Sequence, residues 1–320
     1  MCSKPYMSIK TCCIAALSLL SGLLPARAIV PDTVYVQRPE QFGLMYKELP
    51  VRTADGYDLA TWFFPAQEVL TDEEWEVTQG VLPYKTIDDT PRPTIIICNG
   101  DAGNMSYFQL PLAYAWTSMG FNVATFDWRG FGASSPFPMD ANCLCYTEML
   151  TDYAAVVDAV TALPEVQRGM VAVMGWSTGA YLSMITAWRN HKVNAFIGRS
   201  LATCFDDVIP LVMEVRGKTA NQLLVPEDFP AGEMPVYIAP TFTKPIFLIN
   251  GSNDRRTPVW MSEKVLALLP PSTPRRLMVV EGAGHGGKED PMILEFERFV
   301  SQVADFLKEQ LGVEDNARGR

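Results

Sequence analysis

Beyond residue 93 the chain alternates short, β-branched apolar runs with longer amphipathic stretches. The short runs at 94–98, 122–126, 170–174, 193–197, 246–249 and 277–280 predict strands, and the stretches at 107–119, 146–163, 178–189, 261–269 and 292–311 predict helices. Strands separated by helices need crossover connections. The pattern therefore predicts an α/β fold, a mostly parallel twisted sheet with helices on both faces. Upstream, Asp55-Gly56 between two strand-like runs predicts a hairpin across 51–64 at the sheet edge.

Three segments depart from the alternation. Residues 65–93 are acidic, with Asp72-Glu73-Glu74 and Asp88-Asp89, and predict a solvated surface loop. Residues 200–244 carry Met213, Leu223, Leu224, Phe229, Met234, Tyr237 and Phe242 among several prolines. They are too apolar for a free loop and too broken for a strand, and are expected to fold over the rest as a lid. In residues 1–28, Lys4 and Lys10 precede the 11-residue apolar run 14–24, and Ala26-Arg27-Ala28 supplies small residues where a signal peptidase reads. This predicts a secretory signal cleaved after Ala28, leaving 29–320 as one domain. The run is short of the ~20 residues a spanning helix needs, so no stable membrane span is expected. Cys12 and Cys13 precede the run instead of following it, which argues against lipid attachment.

At 48% apolar and 19% charged residues the chain reads as a compact globular protein. Residues 1–28 hold three basic and no acidic residues, so their removal leaves 23 basic against 36 acidic, a net charge of about −13. That balance argues against nucleic acid and against anionic membrane surfaces as partners. Four cysteines remain, Cys98, Cys143, Cys145 and Cys204, and their spacing gives no disulfide framework; Cys143-x-Cys145 lacks the further ligands a metal site needs.

In an open parallel sheet, ligands bind beyond the carboxyl ends of the strands, so reactive residues should fall just after the strand-like runs. Ser177 does so, in Gly175-Trp176-Ser177-Thr178-Gly179 between a strand and a helix. The two glycines stand where such a turn has no room for side chains. A serine hydroxyl needs a base to take its proton, and histidine suits that task. The chain has two histidines. His191 lies in the polar link Arg189-Asn190-His191-Lys192 and reads as a surface residue, whereas His285 follows the last strand at the reactive edge and reads as the base. A carboxylate must fix that imidazole's tautomer. Asp254, just after the strand at 246–249, is preferred; Asp206 and Asp207, about seven residues past the preceding strand and inside the expected lid, are the alternatives. Gly282-x-Gly284-x-x-Gly287 fits a dinucleotide pattern but has no βαβ unit after it, and reads as the loop carrying His285. Asn104-Met105-Ser106 fits a glycosylation acceptor by chance.

The chain resembles the α/β-hydrolases in that serine turn, in Cys98-Asn99-Gly100-Asp101-Ala102-Gly103-Asn104 and in Phe126-Asp127-Trp128-Arg129-Gly130-Phe131-Gly132. It is most similar to the Bem46-like, or serine-aminopeptidase-like, subgroup, over residues 45–312. The resemblance implies the α/β-hydrolase fold, the order Ser177, Asp254, His285 for the triad, and an oxyanion hole made by the backbone amides of Asp101 and Thr178. Asn99 stands where the family usually has histidine. Asp127 and Arg129 are expected to stabilise their own turn. The function implied is an exported serine hydrolase acting on a small ester-like substrate through an acyl-enzyme, with no metal or organic cofactor. Thioester or peptide cleavage on the same triad stays open, as does a binding protein that has lost turnover.

Overall fold

The computed structural model describes residues 28–71, 73–74, 84–217, 219 and 222–312. The expected signal, apart from Ala28, lies outside them. Their main sheet has eight strands: β1 (Lys47–Glu48), β2 (Thr61–Phe64), β3 (Arg92–Ile97), β4 (Asn122–Phe126), β5 (Val166–Trp176), β6 (Ala195–Arg199), β7 (Ile246–Gly251) and β8 (Arg275–Val280). Their spatial order is β1-β2-β4-β3-β5-β6-β7-β8. From β4 to β8 all neighbours are parallel, whereas β1 and β2 form an antiparallel edge.

Buried on both faces, the central strands read as continuous apolar runs, and successive side chains serve opposite layers. Ile96, Val173, Phe196 and Leu248 pack on one side with α2 (Glu148–Thr161), α3 (Thr178–Arg189) and α5 (Val259–Leu268). On the other side Ile95, Ile97, Met174 and Ile249 meet α1 (Gln109–Ser118) and α6 (Phe296–Leu311). Across that layer Trp116 stacks on Phe299 and donates its indole N–H to the Val300 carbonyl at 3.1 Å.

Four details differ from the expected pattern. The hairpin forms from Val51–Arg52 and Asp58–Leu59 as a separate two-stranded sheet, while the following β2 enters the main sheet. The acidic segment contains an antiparallel pair, Gln67–Val69 with Tyr84–Thr86. Gln67 explains its docking: the amide is buried and exchanges hydrogen bonds with the Met45 backbone. Within 200–244 lies a twelve-residue helix, α4 (Phe205–Arg216), which contains Pro210. Pro210 is solvent-exposed, so the carbonyl it leaves without an amide donor can be hydrated. The last predicted helix breaks at Glu295, whose φ −129°, ψ 50° is not helical, into Pro291–Leu294 and α6.

Arg129 reaches well beyond its own turn. Its fully buried guanidinium pairs with Asp152 of α2 at 2.7 Å and with Asp55 of the hairpin at 2.5 Å, and lies 4.2 Å from the Tyr57 ring centre. One cation thus joins the turn after β4, a helix and the hairpin. Asp127 likewise leaves its turn, accepting from the Met105 amide at 2.7 Å and the Tyr35 hydroxyl at 2.9 Å. Removing one member of a buried ion pair strands the other charge. Arg129→Ala should therefore cost about 3–5 kcal/mol of stability at neutral pH, read from urea denaturation midpoints; a loss below about 1 kcal/mol would show that Asp152 is rehydrated.

Candidate active site

Ser177 stands between the end of β5 and the first residue of α3 with φ 53°, ψ −114°, a region disfavoured for any residue with a side chain. Its surroundings hold it there. The Ser177 amide donates to the Arg199 carbonyl at 2.9 Å, and its carbonyl accepts from Ala180 at 2.9 Å. A Cβ on Gly175 would overlap the Gly179 carbonyl and come within 2.6 Å of Ser183 Oγ; a Cβ on Gly179 would overlap the Asn99 carbonyl. Neither glycine has a positive φ, so space alone demands them.

His285 Nε2 lies 2.9 Å from Ser177 Oγ, and His285 Nδ1 lies 2.9 and 3.0 Å from the two oxygens of Asp254. A carboxylate can only accept, so Nδ1 carries the proton and Nε2 presents its lone pair to the serine hydroxyl. Asp254 is buried, and it accepts also from the Arg256 and Thr257 amides at 2.9 Å and from Thr257 Oγ1 at 2.8 Å. Burial pushes its carboxyl up, but the charge of a protonated His285 and the hydrogen bonds from His285 and Thr257 outweigh that and hold it at about 2. Asp206 and Asp207 sit instead in the first turn of α4; Asp207 accepts from Thr203 Oγ1 at 2.6 Å and pairs with Lys264 at 2.7 Å. His191 is exposed in the link after α3.

Asp101 and Thr178 line one cavity with Ser177 and His285. Thr178 opens α3, so its amide has no acceptor one helical turn back and lies at the helix's positive end. Asn99 bonds the turn that carries Asp101, donating to the Ala102 carbonyl at 2.8 Å and the Asn104 carbonyl at 3.3 Å. Asn104 is itself buried, and donates to the Asp32 and Val34 carbonyls. All four cysteines among the described residues are buried and free. No group of three or more His, Cys, Asp or Glu there could hold a metal ion, and no helix is long and apolar enough to cross a membrane.

Sequence reasoning missed four residues. Trp176 donates from its indole to the His285 carbonyl at 3.0 Å, and a Cβ on Gly286 would meet that ring at 2.5 Å, so the residue before the serine braces the histidine loop. Thr257 orients Asp254. Arg216 and Arg256 line the cavity. Burial and the nearby Arg216 charge push the Arg256 guanidinium below its ordinary range. Trp176, Thr257 and Arg256 carried a signal, as neighbours of Ser177 and Asp254 in the turns after β5 and β7, and Arg216 carried none. The cavity holds about 30 Å³, room for a water or two, and its apolar wall comes from Leu144, Tyr181 and the α4 residues Phe205, Val208 and Val212.

Residues 106–314 match the model of the prolyl oligopeptidase family. Uncharacterized protein YfhR of Escherichia coli K12 is 30% identical over 228 residues, 69% of this chain and 72% of the relative. Protein bem46 of Schizosaccharomyces pombe is 24% identical over 189 residues, 58% of this chain and 54% of that one. Among solved structures, the Pyrococcus furiosus esterase Pf2001 superposes with a TM-score of 0.65 at 19% identity, covering 89% of this chain and all of the esterase.

The depressed Asp254 pKa has a stability consequence. A carboxyl lowered on folding stabilises the fold above its ordinary pKa of ~3.9 and loses that contribution as pH falls through the folded value. Wild type should exceed Asp254→Asn by about 2 kcal/mol just above pH 4, and the gap should close toward pH 2. Urea denaturation of both proteins across that range measures it; a gap that does not change with pH would mean that the carboxyl is not depressed.

Proposed function

The chain belongs to the prolyl oligopeptidase family of the α/β-hydrolase superfamily as a Bem46-like serine hydrolase, and from that premise we propose that it is an exported esterase working through an acyl-enzyme on Ser177. The observation that carries the reading is the continuous chain from Ser177 Oγ through both nitrogens of His285 to the buried Asp254. In the proposed reaction Ser177 Oγ attacks the acyl carbonyl while His285 Nε2 takes its proton. Asp254 stabilises the resulting imidazolium, and the Thr178 and Asp101 amides receive the developing oxyanion. The imidazolium protonates the departing alkoxide. Water then enters, gives a proton to Nε2 and attacks the acyl carbon, and the collapse of the second tetrahedral intermediate returns the hydroxyl to Ser177.

An ester is the preferred substrate because the α4 wall of the cavity is apolar and generic esters suit such a site. Thioester and peptide cleavage use the same machinery and are tested alongside. Residues 200–244 act as the lid through α4. Its Phe205, Val208 and Val212 wall the cavity beside Ser177, where they would meet an acyl chain. A scaffold retained only for binding would have no use for a strained serine within hydrogen-bond reach of an imidazole that is itself bonded to a buried carboxylate.

Ser177→Ala should abolish fluorophosphonate labelling and cut kcat by about 10⁶, with His285→Ala comparable because the members act as a unit. Asp254→Asn should cost about 10⁴ through the wrong tautomer, while Asp206→Asn, Asp207→Asn and His191→Ala stay near wild type. Assays with p-nitrophenyl esters, acyl-thioesters and aminoacyl anilides measure this and rank the substrate classes; an active Ser177→Ala enzyme would sink the mechanism. Val212→Ala should shift relative kcat/KM between long and short acyl chains by about tenfold, and unchanged selectivity would remove α4 from the acyl site. Amino-terminal sequencing of exported protein should begin at or within a few residues of Ile29, and an intact Met1 on exported material would refute the signal.

A further inference from the structure

The cavity face of α4 ends in a charge. Val208, Val212 and Arg216 follow one another at intervals of four, so the helix that walls the cavity brings the Arg216 guanidinium to the same side. There Nη2 donates to Asp101 Oδ2 at 2.8 Å and Nη1 donates to the Ala28 carbonyl at 3.1 Å. The ion pair is sheltered, with side-chain exposures of 16% and 14%, so water screens it little. Of these two contacts, the one to Asp101 is kept if the chain is processed after Ala28.

Asp101 is the residue whose amide is proposed to receive the oxyanion. Its backbone is held on one side, where its carbonyl accepts from Val30 at 2.7 Å in the short parallel pairing of Val30–Pro31 with Ala102–Gly103. Before it, Gly100 lies so close to Trp176 that a Cβ would stand 3.0 Å from the ring. Arg216 fixes the remaining freedom, the side chain. Resting on the proposed hydrolase mechanism, we infer that Arg216 is a positioning residue that aims the Asp101 amide and ties its aim to the seating of α4. An acyl chain lies against Val208 and Val212 while the last turn of α4 stays seated and keeps the pair; lifting that turn draws the guanidinium from Asp101. The second oxyanion donor is then in register only when the cavity is covered, and a small error in its position weakens stabilisation of the transition state more than binding of the ground state.

The test is a double-mutant cycle on the full chain, with a p-nitrophenyl ester as substrate and fluorophosphonate labelling to count active sites. Arg216→Ala should lower kcat per labelled site by about tenfold or more while KM stays within about twofold, since an oxyanion donor acts in the transition state. Arg216→Lys should recover part of the loss. Asp101→Ala should fall as far as Arg216→Ala, and the double variant no further, because the two side chains act through one contact. A raised KM with unchanged kcat would make Arg216 a substrate-binding group and overturn the inference. So would losses that multiply in the double variant, or a kcat per labelled site equal to wild type. If wild type is itself neither labelled at Ser177 nor active, the hydrolase reading fails and this inference with it; a reactive wild type with indifferent variants sinks the inference alone.

Discussion

Everything at the reactive edge depends on how closely three pieces of backbone approach at Gly179. The carbonyl of Asn99, at the end of β3, occupies the space a side chain at 179 would need, and the carbonyl of Gly179 does the same to Gly175 at the end of β5. The turn after β3, the end of β5 and the start of α3 are therefore locked against one another without intervening side chains. Ser177 keeps its positive φ because it has no other way to connect these fixed ends. The same contact sets the distance from Ser177 to the start of the turn after β3, so the Ser177 hydroxyl and the Thr178 amide belong to one rigid piece.

A second layer of constraint consists of buried charge that takes no part in the proposed chemistry. Arg199, whose carbonyl anchors the Ser177 amide, lies with its guanidinium 4.8 Å from the Trp176 ring centre and pairs with Asp290 at 2.7 Å. Asp290 in turn accepts from the Met292 amide and starts the short helix after the histidine loop. Burial pushes the Asp290 carboxyl up and the Arg199 guanidinium down, each opposed by the other's charge. This pair links the strand beside the serine turn to the far end of the loop carrying His285, and the Trp176 indole links the turn itself to the His285 carbonyl. A histidine on a loop with four glycines, at 282, 284, 286 and 287, is thereby tied to the serine turn at two points.

The periodic part of the fold was legible because burial on both faces writes itself into composition: the runs around Ile95, Val173 and Leu248 could hardly be anything but central strands. Ser177 and His285 were legible for a different reason, since they follow strands directly and strand ends mark the reactive edge. Asp254 was preferred over Asp206 and Asp207 by the same proximity, and the geometry brings Asp254 alone to the imidazole. What stayed hidden depends on pairings distant in sequence. Nothing near Arg129 announces Asp55 and Asp152, and nothing near Arg216 announces Asp101, 115 positions away. α4 was hidden by Pro210, which reads as a breaker yet falls on the solvent side where a helix tolerates it.

The burial of the chain's first described residues bears on the order of events in biogenesis. Ala28 and Ile29 are 0% and 1% exposed, and their amides are bonded to the Ala141 carbonyl. A peptidase must lay its substrate out as an extended strand, so the bond between them is out of reach once the domain has closed. If the proposed leader is removed after Ala28, its removal therefore precedes folding and the two compete: a chain that folds too early would keep its leader, and one cut in time would bury a new ammonium group beside the turn that holds Asp101.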